Sequence, residues 1–69
     1  METHQFDWYL VAETSKARQF SKHANGMAPF WVPRSLIQNF SKYPVKPPDK
    51  YSLCLLEVPE WFLEKEGLL

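Results

Sequence analysis

The sequence predicts a small, β-rich α+β domain. It would have an antiparallel three- to four-stranded sheet or partial barrel, a helical turn and a short C-terminal helix. Three observations carry this. Apolar residues alternate at period two through "QFDWYLVAET" and "YSLCLLEV", the spacing of strands with a covered face. Asn25-Gly26 lies between two runs of strand-forming residues, the dipeptide that closes tight hairpins. The last segment, "PEWFLEKEG", begins with Pro59 and Glu60 and ends at Gly67, a helix-start and helix-stop pair.

The first strand is expected over about 6–13. Phe6, Trp8, Leu10 and Ala12 fall on one face, Tyr9 and Val11 on the other. Trp, Tyr and Val favour a strand over a short helix here. The second and third strands, about 16–22 and 28–33, flank Asn25-Gly26. A two-residue type I′ turn would set Phe20 opposite Trp31, Ser21 opposite Phe30 and Gln19 opposite Val32. Trp31 would then be a core residue stacked across the hairpin. Pro29 and Pro33 donate no backbone hydrogen bond, so this strand lies at a sheet edge or is broken at those points. Ser35 followed by Gln38 has the capping-box spacing, which predicts one or two helical turns over 35–40 with Leu36, Ile37 and Phe40 inward. Ser35 reads as a cap and not a nucleophile, since no glycine elbow surrounds it.

Residues 41–50, "SKYPVKPPDK", hold three prolines and three lysines and read as a surface loop. Residues 51–58 are apolar on both faces and predict the central strand, with Cys54 as a small buried hydrophobe. Trp61, Phe62 and Leu68 would fasten the final helix to the sheet. No linker or repeat divides the chain, so residues 1–69 form one domain.

Size and composition narrow the function. A chain of 69 residues needs a rich core to be stable alone, and 45% of its residues are hydrophobic and 16% aromatic. One cysteine excludes an internal disulfide and points to a reducing setting. No apolar run approaches the roughly 20 residues of a membrane helix. "METHQFDWYL" lacks the basic start of a secretory signal, and a cytoplasmic location is expected.

Net charge is zero but unevenly spread. The ends are acidic, while residues 14–50 carry Lys16, Arg18, Lys22, Arg34, Lys42, Lys46 and Lys50 against Asp49. This basic belt either faces a partner or neutralises the chain's own acidic ends. His4, His23 and Cys54 show no metal-ligand spacing, and two glycines in all leave no phosphate loop. The acids Glu60, Glu64 and Glu66 fit a solvated helix face better than an acid–base pair. The expectation is a protein with no catalytic residues, cofactor or metal.

"FWVPRSLI" at 30–37 and "VPEWFLEKEGL" at 58–68 together resemble a group of short phage and mobile-element proteins. That group has an aromatic-Trp-Val-Pro-Lys/Arg-Ser motif and a Pro-Glu-Trp segment ending Lys-x-Gly-Leu. Trp31, Pro33, Arg34 and Ser35, then Pro59, Glu60, Trp61, Lys65, Gly67 and Leu68, lie on the pattern. The resemblance implies a setting and no specific reaction. The expected function is docking on a host or phage protein, as an inhibitor or modulator of a host machine. The alternative is binding single-stranded nucleic acid through the 16–46 belt. Arg18, Lys22, Arg34, Lys42 and Lys46 are the candidate partner-binding residues under both readings. Arg34, at a corner with no evident structural duty, is the first of them to test.

Overall fold

A computed structural model describes residues 2–68. Five strands, β1 (Thr3–Glu13), β2 (Ala17–Ser21), β3 (Phe30–Pro33), β4 (Gln38–Lys42) and β5 (Ser52–Pro59), form one antiparallel sheet ordered β3-β2-β1-β5-β4. A 3-10 turn (Arg34–Leu36) joins β3 to β4, and the helix α1 (Glu60–Lys65) follows β5. The β-rich class with a short C-terminal helix is as expected; the strand count exceeds the expected three or four by one.

β1 and β5 pair without a break from Thr3↔Pro59 to Leu10↔Ser52. Their alternation puts Phe6 beside Leu56, Trp8 beside Cys54 and Leu10 beside Ser52 on the inner face with Val58, and Tyr9 beside Leu53 on the outer face. Phe20 and Val32 complete the inner face from β2 and β3. Phe62 and Leu63 of α1 are buried in the same core. Burying each such side chain stabilises the fold by about 1.5–3 kcal/mol.

The sheet is strongly curled. β3 and β4 are its two edges, yet only residues 34–37 separate them in the chain. A flat five-stranded sheet sets its edges about 19 Å apart, whereas three 3-10 residues advance about 6 Å. Curling closes the distance. Phe40 of β4 lies 6.4 Å from Phe20 of β2, ring centre to ring centre, and the Arg18 guanidinium sits 4.0 Å over the Phe40 ring. β2 and β4 are three strand spacings apart in the sheet, about 14 Å if flat. Irregular pairing near Val11 in β1 and near Asn39 in β4 supplies the bends; Asn39 takes a positive φ of 49°, which Asn tolerates. Among the described residues β3 and β4 do not pair, so the barrel stays open along that seam.

Glu13 ties the seam's lower corner. Its Oε1 accepts a 2.7 Å hydrogen bond from Arg34 Nη2, and Arg34 Nε donates to the Thr14 carbonyl at 2.8 Å. Arg18 Nε stands 3.6 Å from the same Glu13 oxygen, an ion pair too long for a hydrogen bond. Arg34 therefore does have a structural duty, contrary to the expectation: it pins the 3-10 turn to the β1–β2 turn.

Three local expectations are corrected. The helix over 35–40 is only a 3-10 turn at Arg34–Leu36, and residues 38–42 are strand β4. Ser35 lies inside that turn and makes no capping bond. Pairing with β5 gives residues 38–42 the backbone partners that an isolated helical turn would have supplied. The Asn25-Gly26 hairpin is instead an eight-residue loop, 22–29, with Phe20↔Phe30 and Gln19↔Trp31 as partners. Asn25 Oδ1 accepts from the Met27 N–H at 3.0 Å and Ser21 Oγ donates to the Met27 carbonyl at 2.6 Å, so the side chains wind the loop past a two-residue turn. The register thus slips by one and every residue of β3 changes face. Phe30 turns in, edge-on to Trp8 at 4.8 Å, and Trp31 turns out, 45% exposed.

The helix ends as expected at Gly67 (φ 67°). Leu68 N–H donates to the Leu63 carbonyl at 2.8 Å and Gly67 N–H to the Glu64 carbonyl at 3.2 Å, a Schellman closure. Pro59 is the residue before the helix and not its first turn. Phe62 and Leu68 pack as expected, but Leu63, not Trp61, is the third anchor.

Candidate docking site

A hollow lies at the β4–β5 connection. Tyr43 extends the ladder beyond β4, its N–H donating to the Leu53 carbonyl at 3.0 Å. The loop then turns at Lys46–Asp49, closed by Asp49 N–H to the Lys46 carbonyl at 2.8 Å. Prolines 44, 47 and 48 hold φ near −65° and limit the loop's alternatives. The result is a cavity of about 350 Å³ lined by Tyr43, Pro44, Lys46, Asp49, Tyr51 and Leu53.

Tyr51 is placed from behind by the β2–β3 loop. A Cβ on Gly26 would sit 2.7 Å from Tyr51 Cε2, and Gly26 has φ 80°. Glycine is thus required twice, for its backbone and for the ring's approach. A shallower hollow of about 230 Å³ adjoins it at Asp49, between Asn25 and Lys50. Met27, Tyr43 and Val45, all on these two loops, are exposed. The walls are aromatic and aliphatic, with one cation and one anion at the margin. Mostly apolar walls with a few polar groups are the usual composition of a binding pocket.

The five sequence-predicted contact residues differ in their surroundings. Arg18 stacks on Phe40 and faces Glu13. Arg34 is held by Glu13 and Thr14. Lys22 Nζ donates to the Leu68 carbonyl at 3.3 Å. Lys42 is opposite Cys54 at the end of β4. Lys46 alone lines the pocket. The basic middle is therefore partly consumed by the chain's own carboxylate at Glu13, and partly left on the 42–50 loop.

Burial pushes the Cys54 thiol above its usual pKa, against the pull of Lys42 and Arg18. A buried thiol kept protonated is a poor nucleophile. His4 Nε2 meets Glu60 Oε1 at 3.1 Å, a pair that ties β1 to the helix start. Among the described residues no three His, Cys, Asp or Glu side chains converge as a metal site, and no helix is long and apolar enough to cross a membrane.

Tyr51, Asp49 and Leu53 were not singled out by sequence reasoning. The signal that marks them is the pair of tyrosines bracketing a proline-rich loop, Tyr43-Pro44 and Tyr51. No family model, no curated protein and no solved structure matches this chain.

Proposed function

We propose that this chain is a non-enzymatic binding protein, of the phage or mobile-element type its motifs resemble, that docks on a protein partner through the Tyr43–Tyr51 pocket. The apolar, aromatic-walled cavity carries the reading. It is the right size for one large side chain, its Tyr51 ring is held close against Gly26, and Lys46 in its lining favours an acidic flank. Such a partner is a host or phage protein offering an aromatic or aliphatic anchor next to carboxylates. The buried, protonated Cys54 and the exposed Ser35 give no support to nucleophilic chemistry.

A tagged capture from host lysate tests it, run in parallel with the parent, Tyr43→Ala and Lys46→Glu. A specific band lost in both variants is expected. A band that persists in both places the contact elsewhere.

Single-stranded nucleic acid is the second reading, favoured by the interleaving of Lys42, Lys46 and Lys50 with Tyr43 and Tyr51 along one loop. It requires a mobility shift with oligonucleotides at low salt that weakens steeply as salt rises. Docking on protein predicts none.

A further inference from the structure

We infer that the pocket accepts Trp61 from a second copy of this chain, joining molecules head to tail. The inference rests on reading the Tyr43–Tyr51 cavity as a docking site, and it names an occupant.

Trp61 is a large apolar side chain left half exposed. It is 48% exposed on a helix whose next two residues, Phe62 and Leu63, are buried. Its ring lies edge-on to Phe62, 6.0 Å away at 87°. Its backbone is nevertheless fixed. Glu60 N–H donates to the Glu2 carbonyl at 2.9 Å, the Glu60 carboxylate meets His4, and the helix end is closed on Leu63. A pre-set, half-exposed tryptophan is the side chain most often found at the energetic centre of an interface.

Charge selects the partner surface. The helix and its two ends carry Glu2, Glu60, Glu64 and Glu66 against Lys65 and Lys22, whose Nζ reaches the Leu68 carbonyl, whereas the loop that forms the pocket carries Lys42, Lys46 and Lys50 against Asp49. An aromatic knob on an acidic helix and an aromatic socket on a lysine-bearing loop lie on the same chain, so each copy offers both halves of the contact.

Geometry forbids the two halves from meeting within one molecule. Tyr51 and Trp61 flank β5, whose eight residues span about 25 Å, in a molecule 36 Å long. The contact between copies is heterologous, so it leaves a free knob at one end and a free socket at the other. One anchor with a charged rim makes a small interface, so association is weak and depends on concentration.

Analytical ultracentrifugation tests it, from about 10 μM to about 1 mM protein in about 0.05 M and about 0.5 M salt. The expected result is an average mass that rises above the 8.2 kDa of one chain with concentration, and rises less in high salt. Trp61→Ala keeps a socket and Tyr43→Ala keeps a knob. Each alone should remain monomeric, and their equimolar mixture should form a two-chain species and nothing larger. Both substituted side chains are exposed; far-UV circular dichroism checks that each variant is folded, and Lys46→Glu serves as a second socket variant.

A parent that stays at one-chain mass throughout overturns the inference. So do single variants that associate like the parent, or a mixture that stays monomeric. If the parent is monomeric while Tyr43→Ala still abolishes capture of a protein or of an oligonucleotide, self-docking falls and the pocket remains a docking site. If Tyr43→Ala changes neither capture nor mass, both fall together.

Discussion

Trp31 and Phe20 show how little residue type alone says about burial. Both are aromatic and both lie on adjacent strands, yet Phe20 is fully buried and Trp31 stands outside beside Gln19. Phe20→Ala is expected to cost about 3–5 kcal/mol, as a large core truncation does. Trp31→Ala should change stability by less than about 0.5 kcal/mol, the range of exposed sites. Urea unfolding of the two variants separates them, and a large loss at Trp31 would count against the one-residue slip in β3. Cys54 adds a pH dependence. Its folded pKa is raised above the unperturbed 9.0, so the folded state holds its proton after the unfolded chain has lost it. The associated stability is complete below pH 9.0 and declines as pH climbs through and beyond it. Unfolding measured from pH 7 to pH 10 should show this decline in the parent, and Cys54→Ala should lack that component.

At the scale of elements, the β2–β3 loop and α1 each depend on one residue that sequence patterns flag for another reason. Gly26 was marked as half of a hairpin dipeptide. It serves as a left-handed residue against the Tyr51 ring. Gly26→Ala should cost about 1–2 kcal/mol from the positive φ, and more from the clash with the ring. In a Tyr51→Ala background the clash vanishes and the φ cost stays, so the substitution should cost measurably less there. Equal costs in both backgrounds would mean that the loop does not hold the pocket wall. For α1, six residues are too few to be stable in isolation; packing holds them. Leu63→Ala should therefore lower stability by about 2–5 kcal/mol and take the helical signal with it, whereas Trp61→Ala should leave both nearly unchanged.

For the whole molecule, curvature is the decisive property. The Phe40 ring under Arg18 and against Phe20 brings β4 back over β2, and Glu13 with Arg34 and Arg18 fixes the corner where the two edges meet. The Glu13–Arg34 pair is partly exposed on both sides, so its worth is at most about 1 kcal/mol. Phe40→Leu keeps apolar bulk and removes the cation–π contact, a loss of about 0.5–1 kcal/mol. Adding Arg18→Met to Phe40→Leu should then cost less than Arg18→Met does in the parent, a coupling that a double-mutant cycle measures directly. A zero coupling would separate the two edges energetically. Curling also sets the charge layout. It folds part of the basic middle onto Glu13 and leaves the lysines of 42–50 at the opposite end of β5 from the acidic helix.

Strand identity on β1 and β5, the edge position of β3, the helix limits near Pro59 and Gly67 and the burial of Cys54 were all legible in the chain. Each follows from period-two alternation or from the fixed backbone preferences of proline and glycine, which act locally. The slip in β3, the existence of β4 and the pocket were not. The register of β3 is set by the longer 22–29 loop, which puts Phe30 opposite Phe20 where Trp31 was expected. Residues 38–42 become a strand because β5 offers them hydrogen-bond partners, and Tyr43, Asp49 and Tyr51 converge because a loop of 43–51 must bridge the ends of two paired strands. Such outcomes depend on groups far apart in sequence, and no local preference of Gln38, Asn39 or Tyr51 encodes them.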